Sequence, residues 1–132
     1  MDILTAYSSV ATAMGAMAAI MFVQLIGGDI IGIRAKHTPG SPVEADHSNL
    51  HFRASRTVAN TNESIAIFIL AVIFGVFQGA DPKLMGYAAW AYVSARAAYA
   101  LCYYLDIRAL RSIVFALAVL SLLALLILGL RA

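Results

Sequence analysis

Residues His51 to Phe77 read HFRASRTVANTNES and continue as IAIFILAVIFGVF, so charged and amide side chains run into an uncharged stretch with no glycine or proline between them. Arg53, Arg56, Asn60 and Glu63 stand at i, i+3, i+7 and i+10, which puts all four on one stripe of an α-helix. A polar stripe on an otherwise apolar helix is costly in lipid. It survives by facing a bundle interior, a partner or a water-filled cavity, and an ionisable group held there marks a site. This one segment therefore excludes an isolated helix and calls for a packed, partly hydrated assembly around it.

The surrounding chain supplies that setting. Of its 132 residues, 62% are hydrophobic and only 12% charged, more apolar surface than a soluble domain of this size can hide. A membrane-crossing helix takes about 20 such residues. Four windows qualify, roughly 3–33, 52–78, 82–105 and 108–130, and they predict an all-α polytopic membrane protein, one four-helix transmembrane domain over residues 1–132. The N-terminal MDILTAYSS carries an acid and no positive segment, so a cleaved signal is not expected. A net charge of +2, with the arginines tied to helix ends, gives no nucleic-acid footprint. Cys102 is the one cysteine; it cannot form an intrachain disulfide, and its apolar setting beside the stripe argues against a nucleophile.

The connections set the order of the helices. Residues 38–49, TPGSPVEADHSN, form the one long loop, with Asp46 or Ser48 expected to cap the second helix. His47 and His51, with Glu44 and Asp46 nearby, have the outline of a metal pair, against the simpler reading of a solvated loop entering a helix. In QGADPK, Gly79 ends the second helix and Asp81-Pro82 opens the third, making an antiparallel hairpin. Ala11, Gly15 and Ala19 form a small-residue row on the first helix, read as a packing surface, with Gln24 and Asp29 as polar interruptions further along. The last helix is apolar all round and reads as structural.

The third helix carries a second stripe, Tyr92, Arg96, Tyr99 and Tyr103 at i, i+4, i+7 and i+11. Arg34, Lys36, Arg53, Arg56, Arg108 and Arg111 all flank the first and third connections, which the positive-inside rule assigns to the cytoplasm, with both termini on the other side. The start of the second helix and the end of the third then share one membrane level. Glu63 and Arg96 come to similar depths and are expected to be each other's counter-ions, either as a structural lock or within a binding site. Guanidiniums suit carboxylates, an amide suits a peptide backbone and a lone carboxylate suits an ammonium, so a small zwitterionic peptide fits the constellation.

Arg53-x-x-Arg56-x-x-x-Asn60-x-x-Glu63 opening one helix, with Arg96-x-x-Tyr99-x-x-x-Tyr103 ending the next, resembles the MAPEG family, the membrane-associated proteins in eicosanoid and glutathione metabolism. The likeness is to a bacterial-type member and covers nearly the whole chain. Ser64, where an aromatic often follows the glutamate, and Ala66, in place of a frequent proline, depart from the pattern. The resemblance implies a homotrimer in the bacterial cytoplasmic membrane, with glutathione as co-substrate between subunits and a lipophilic molecule as second substrate. It assigns Arg56, Asn60, Glu63, Tyr99 and Tyr103 to glutathione and Arg34 and Arg53 to the basic surround. Arg96 belongs to the same polar set. Arg111 matches the arginine that holds the glutathione thiolate, with Arg108 its rival. Glutathione transfer or peroxide reduction is the implied activity; the family's silent members leave a non-catalytic membrane protein as the alternative, and a transporter lacks the expected repeat or broken helix.

Overall fold

The computed structural model describes residues 2–132. The chain forms five helices: α1 (Ile3–Ala6), α2 (Ser8–Arg34), α3 (Leu50–Gln78), α4 (Pro82–Tyr104) and α5 (Arg108–Leu130). The expected first helix is thus interrupted at Tyr7, whose backbone leaves helical geometry at φ −96 and ψ 18. The Tyr7 hydroxyl donates to the Ala80 carbonyl, fastening this break to the turn between α3 and α4.

That turn follows its sequence signals. Gly79 adopts φ 75, and the amides of Ala80 and Gly79 close back on the carbonyls of Gly75 and Val76, so the last turn of α3 is satisfied in the usual glycine-terminated way. Asp81 accepts from the amides of Lys83 at 2.9 Å and Leu84 at 3.0 Å, and Pro82 opens α4 where a missing N–H costs nothing. At the start of α3 the cap is Asn49, whose side chain accepts from the His51 amide at 2.9 Å. The cap thus falls three residues after Asp46 and one after Ser48, the two expected: Asp46 instead accepts from the amide and hydroxyl of Ser48, closing a turn inside the loop.

Three of the helices, α2, α3 and α5, are long and apolar enough to cross a membrane. The window at 82–105 is not among them, although α4 has 23 residues, the same length as α5; Arg96 and its tyrosines dilute its apolar character. The protein is an all-helical membrane protein, with no strand among the described residues. Its main core lies toward the α3–α4 turn, where Val10 and Met17 of α2, Phe68 and Val72 of α3, Met85 and Tyr92 of α4 and Leu125 of α5 are buried together. A smaller cluster of Tyr99, Cys102, Tyr103 and Val114 lies at the opposite, loop end.

The close approach of α2 to α3 is made by Gly28 and Gly32. A Cβ on Gly28 would meet Val58 at 3.8 Å, and one on Gly32 would meet His51 Nε2 at 3.3 Å. Ala11, Gly15 and Ala19, expected to be the packing row, are exposed, and a Cβ on Gly15 would meet nothing within 4 Å. Spacing identifies a row of small residues but not the side of the helix that a neighbour covers.

Candidate functional site

The two polar stripes come together where α3 and α4 cross near the loop end. Arg96 is 1% exposed, and its guanidinium donates through Nη2 to Asn60 Oδ1, across the helix pair. The same guanidinium lies over the Tyr99 ring, 4.8 Å from its centroid. Asn60 passes the connection on, its amide nitrogen donating to Glu63 Oε2 at 3.4 Å. Glu63 in turn meets Arg56, with Nη2 to Oε1 at 3.8 Å, and these two side chains are 60% and 39% exposed respectively. The expected direct Glu63–Arg96 pair is not formed. Asn60 stands between them, because its short amide reaches the buried guanidinium first and leaves Glu63 turned outward to Arg56. Arg96 is therefore neutralised by an amide dipole and a ring face rather than by a carboxylate, with its Nε left without a partner.

Below Asn60 the seam continues in neutral groups. Ser64 and Tyr92 share a hydrogen bond of 2.7 Å, Tyr92 stacks on Phe68 at 4.5 Å, and Thr61 donates to Gln24 of α2 at 3.0 Å. The departure at Ser64 thus has a local role: its hydroxyl satisfies a tyrosine with no exposed surface. A cleft of 380 Å³ opens beside this seam, with Asn60, Glu63, Ser64 and Arg96 on one wall and Phe115, Val119, Leu122, Leu123 and Leu126 among the residues of the other. One side can take polar ligand groups and the other an apolar chain.

The remaining candidates divide into two groups. Arg111 lies over the Tyr103 ring at 4.4 Å, with its Nη1 buried and unpartnered, and Tyr103 meets Tyr99 edge-on at 5.2 Å. Arg108 instead points away, pairing with Asp106 at 3.7 Å with its side chain 69% exposed. Arg53 is turned toward the long loop, where Nη1 donates to the carbonyls of His47 at 2.7 Å and Ser48 at 3.1 Å. Arg34, in the last turn of α2, is exposed and stands apart from the Arg56–Asn60–Arg96 row within this chain.

The loop itself comes over the site, which residue spacing did not reveal. His47 packs edge-on against Phe52 at 5.1 Å and lies nearly parallel to Tyr103 at 6.3 Å. Its metal-pair outline dissolves, since His51 packs against His37 at 4.6 Å and not against His47. Beside it, the hydroxyl and amide of Ser48 hold the Asp46 carboxyl below its ordinary range. Phe115, from the helix read as purely structural, closes on Tyr99 at 6.0 Å and lines the cleft.

The chain is an all-helical membrane protein whose buried arginine–amide joint, outward polar row and tyrosine-backed arginine are carried by α3, α4 and α5. The MAPEG family model matches residues 9–131, nearly the whole chain, and this protein belongs to the MAPEG family. Searches of the curated proteins and of the solved structures returned no match.

Proposed function

We propose that this protein is an integral membrane glutathione-dependent transferase or peroxidase, one that ionises the thiol of bound glutathione for attack on a lipophilic electrophile or hydroperoxide. The observation that carries the reading is the cleft whose polar wall is Asn60, Glu63 and Arg96 and whose apolar wall is α5, a pairing that suits a zwitterionic peptide beside a lipid-soluble reactant. Arg56 and Asn60 hold the peptide's carboxylates and backbone, Glu63 its ammonium, and Tyr99 and Tyr103 flank the thiol. Arg111 supplies the adjacent positive charge that favours the thiolate, an effect that grows as water is excluded. Its unpartnered Nη1 supports this role over Arg108, which already has Asp106.

The same reading makes the chain a four-span homotrimer of the bacterial cytoplasmic membrane with both termini outside. Asn62 and Glu63 are exposed on α3 within a span-length apolar helix, and polar groups so placed need a cavity or another subunit. A neighbour would also bring Arg34, remote from the row in its own chain, to the pocket. The second reading, a non-catalytic member of the family, is favoured by one observation: Glu63 and Arg56 already pair, and Arg53 is engaged by the loop, so part of the row is satisfied without a ligand.

Thiolate absorbance on titrating the purified protein with glutathione separates the two. Arg111→Ala should abolish the signal while weakening binding little. Arg56→Ala should weaken binding and leave the ionisation of what still binds unchanged, and Arg108→Ala should do neither. If Arg108→Ala erased the signal and Arg111→Ala spared it, the activating residue would be Arg108; absence of any thiolate in the parent protein would leave the non-catalytic reading.

A further inference from the structure

We propose that His47 accepts the thiol proton when glutathione ionises beside Arg111, an inference that rests on the function proposed above. A guanidinium can hold a thiolate but cannot take its proton, since it is always charged and has donors only. A phenol at neutral pH is equally full. The groups found against Tyr103 are Arg111, Tyr99 and His47, and of these the imidazole is the one with a ring nitrogen free to accept a proton.

The geometry around His47 is that of a held base. Its ring is fixed between Phe52 and Tyr103, and its backbone carbonyl is pinned by Arg53 Nη1 at 2.7 Å. Its Nδ1 is buried with no hydrogen-bond partner. With the ring hydrogen on Nε2, that nitrogen is a buried lone pair with nothing to accept from, an unfavourable state until a donor arrives. Arg111 Nη1 and Arg53 Nε are also buried and unpartnered. The loop and α5 therefore each bring an incomplete nitrogen to the Tyr103 ring of α4, and a ligand S–H completes the acceptor while its sulfur completes a donor.

In the step itself the S–H bond breaks, its electron pair stays on sulfur as the thiolate facing Arg111, and the proton forms an N–H bond at Nδ1. The resulting imidazolium lies at the loop, where it returns the proton to water after product leaves. The charged and titratable groups facing His47 are Asp46 and Arg53 on its own side, Tyr103 from α4 and, against that same ring, Arg111 from α5.

Proton counting tests this in the intact detergent-purified protein. Glutathione is titrated at neutral pH by calorimetry in buffers of different ionisation enthalpy, with thiolate absorbance followed in parallel. The parent protein should form thiolate while releasing few protons to buffer. His47→Gln should release close to one proton per thiolate and form it more slowly, by roughly 100-fold, the usual scale for losing a positioned base. His47→Phe, which keeps the packing on Phe52 and Tyr103, should behave like the glutamine variant and covers the case in which the latter fails to fold. Equal proton release and equal rates in parent and variants would overturn the inference while leaving thiol activation standing. Loss of glutathione binding in both variants would make His47 a binding contact instead. No thiolate in the parent would remove the transferase reading and this one with it.

Discussion

The two ends of the helix bundle solve different problems. At the α3–α4 turn the side chains are apolar and closely fitted: a Cβ on Gly129 would fall 2.7 Å from the Phe74 ring and 3.1 Å from the Gly75 backbone. The one left-handed residue there is a glycine, Gly79. At the loop end the same conformation falls on Lys36 and Asp106, with φ of 54 and 55, where a side chain makes it costly by about 1–3 kcal/mol. Among the described residues, the buried side-chain nitrogens and oxygens without a hydrogen-bond partner belong to Gln24, His47, Arg53, Arg96, Asp106 and Arg111, and none of these lies near the turn. One end is finished by its own packing, whereas the other holds strain and unpaired groups that a ligand or a second subunit would complete.

The Arg96–Asn60 joint is the exception at the loop end, and it provides the largest expected effect. Asn60→Leu leaves a guanidinium with 1% exposure facing only Tyr99 and should lower stability by about 3–5 kcal/mol in thermal or denaturant unfolding in detergent. A change below about 1 kcal/mol, the scale of an exposed ion pair, would show the guanidinium to be hydrated and the joint unimportant. At the other end, Gly129→Ala forces a methyl against a ring and a backbone atom and should cost about 1–3 kcal/mol, with glutathione-dependent thiolate formation unchanged. Loss of the thiolate signal at unchanged stability would mean that the two ends are coupled. Glu63→Gln should have the smallest effect, under about 1 kcal/mol on the same unfolding measurement, because its partner Arg56 is also exposed and water screens the pair. A larger loss would place Glu63 back at the centre of the fold.

The contrast also explains what was legible in the residues. Helical periodicity put Arg53, Arg56, Asn60 and Glu63 on one stripe and Tyr92, Arg96, Tyr99 and Tyr103 on another, and Gly79 and Asp81-Pro82 marked their turn, because each is a local property of one segment. Depth along two antiparallel helices also brought Glu63 and Arg96 to one level. It could not decide which of Asn60 or Glu63 a guanidinium reaches, since the two lie about one turn apart on the same stripe and the side-chain conformations choose between them. The same limit applies to Ala11, Gly15 and Ala19, since within this chain the helix contact falls at Gly28 and Gly32. His47 was visible only as a spacing from His51. Its position over Tyr103 follows from how a loop folds back, which no periodic signal encodes.

The Asn60–Arg96 joint bears on how such a chain enters a bilayer as it is synthesised. A helix carrying an arginine at its interior partitions poorly by itself, and α4 is the long helix outside the set apolar enough to cross unaided. Synthesis runs from the N-terminus, so Asn60 leaves the ribosome 36 residues ahead of Arg96 and its acceptor is in place when the guanidinium arrives. The tight Gly79–Pro82 turn then delivers α4 alongside α3 as a hairpin, with the charge already masked. In the four-span arrangement proposed above, membrane integration of α4 would be an act of α3, and lengthening that turn would delay it before it altered the finished protein.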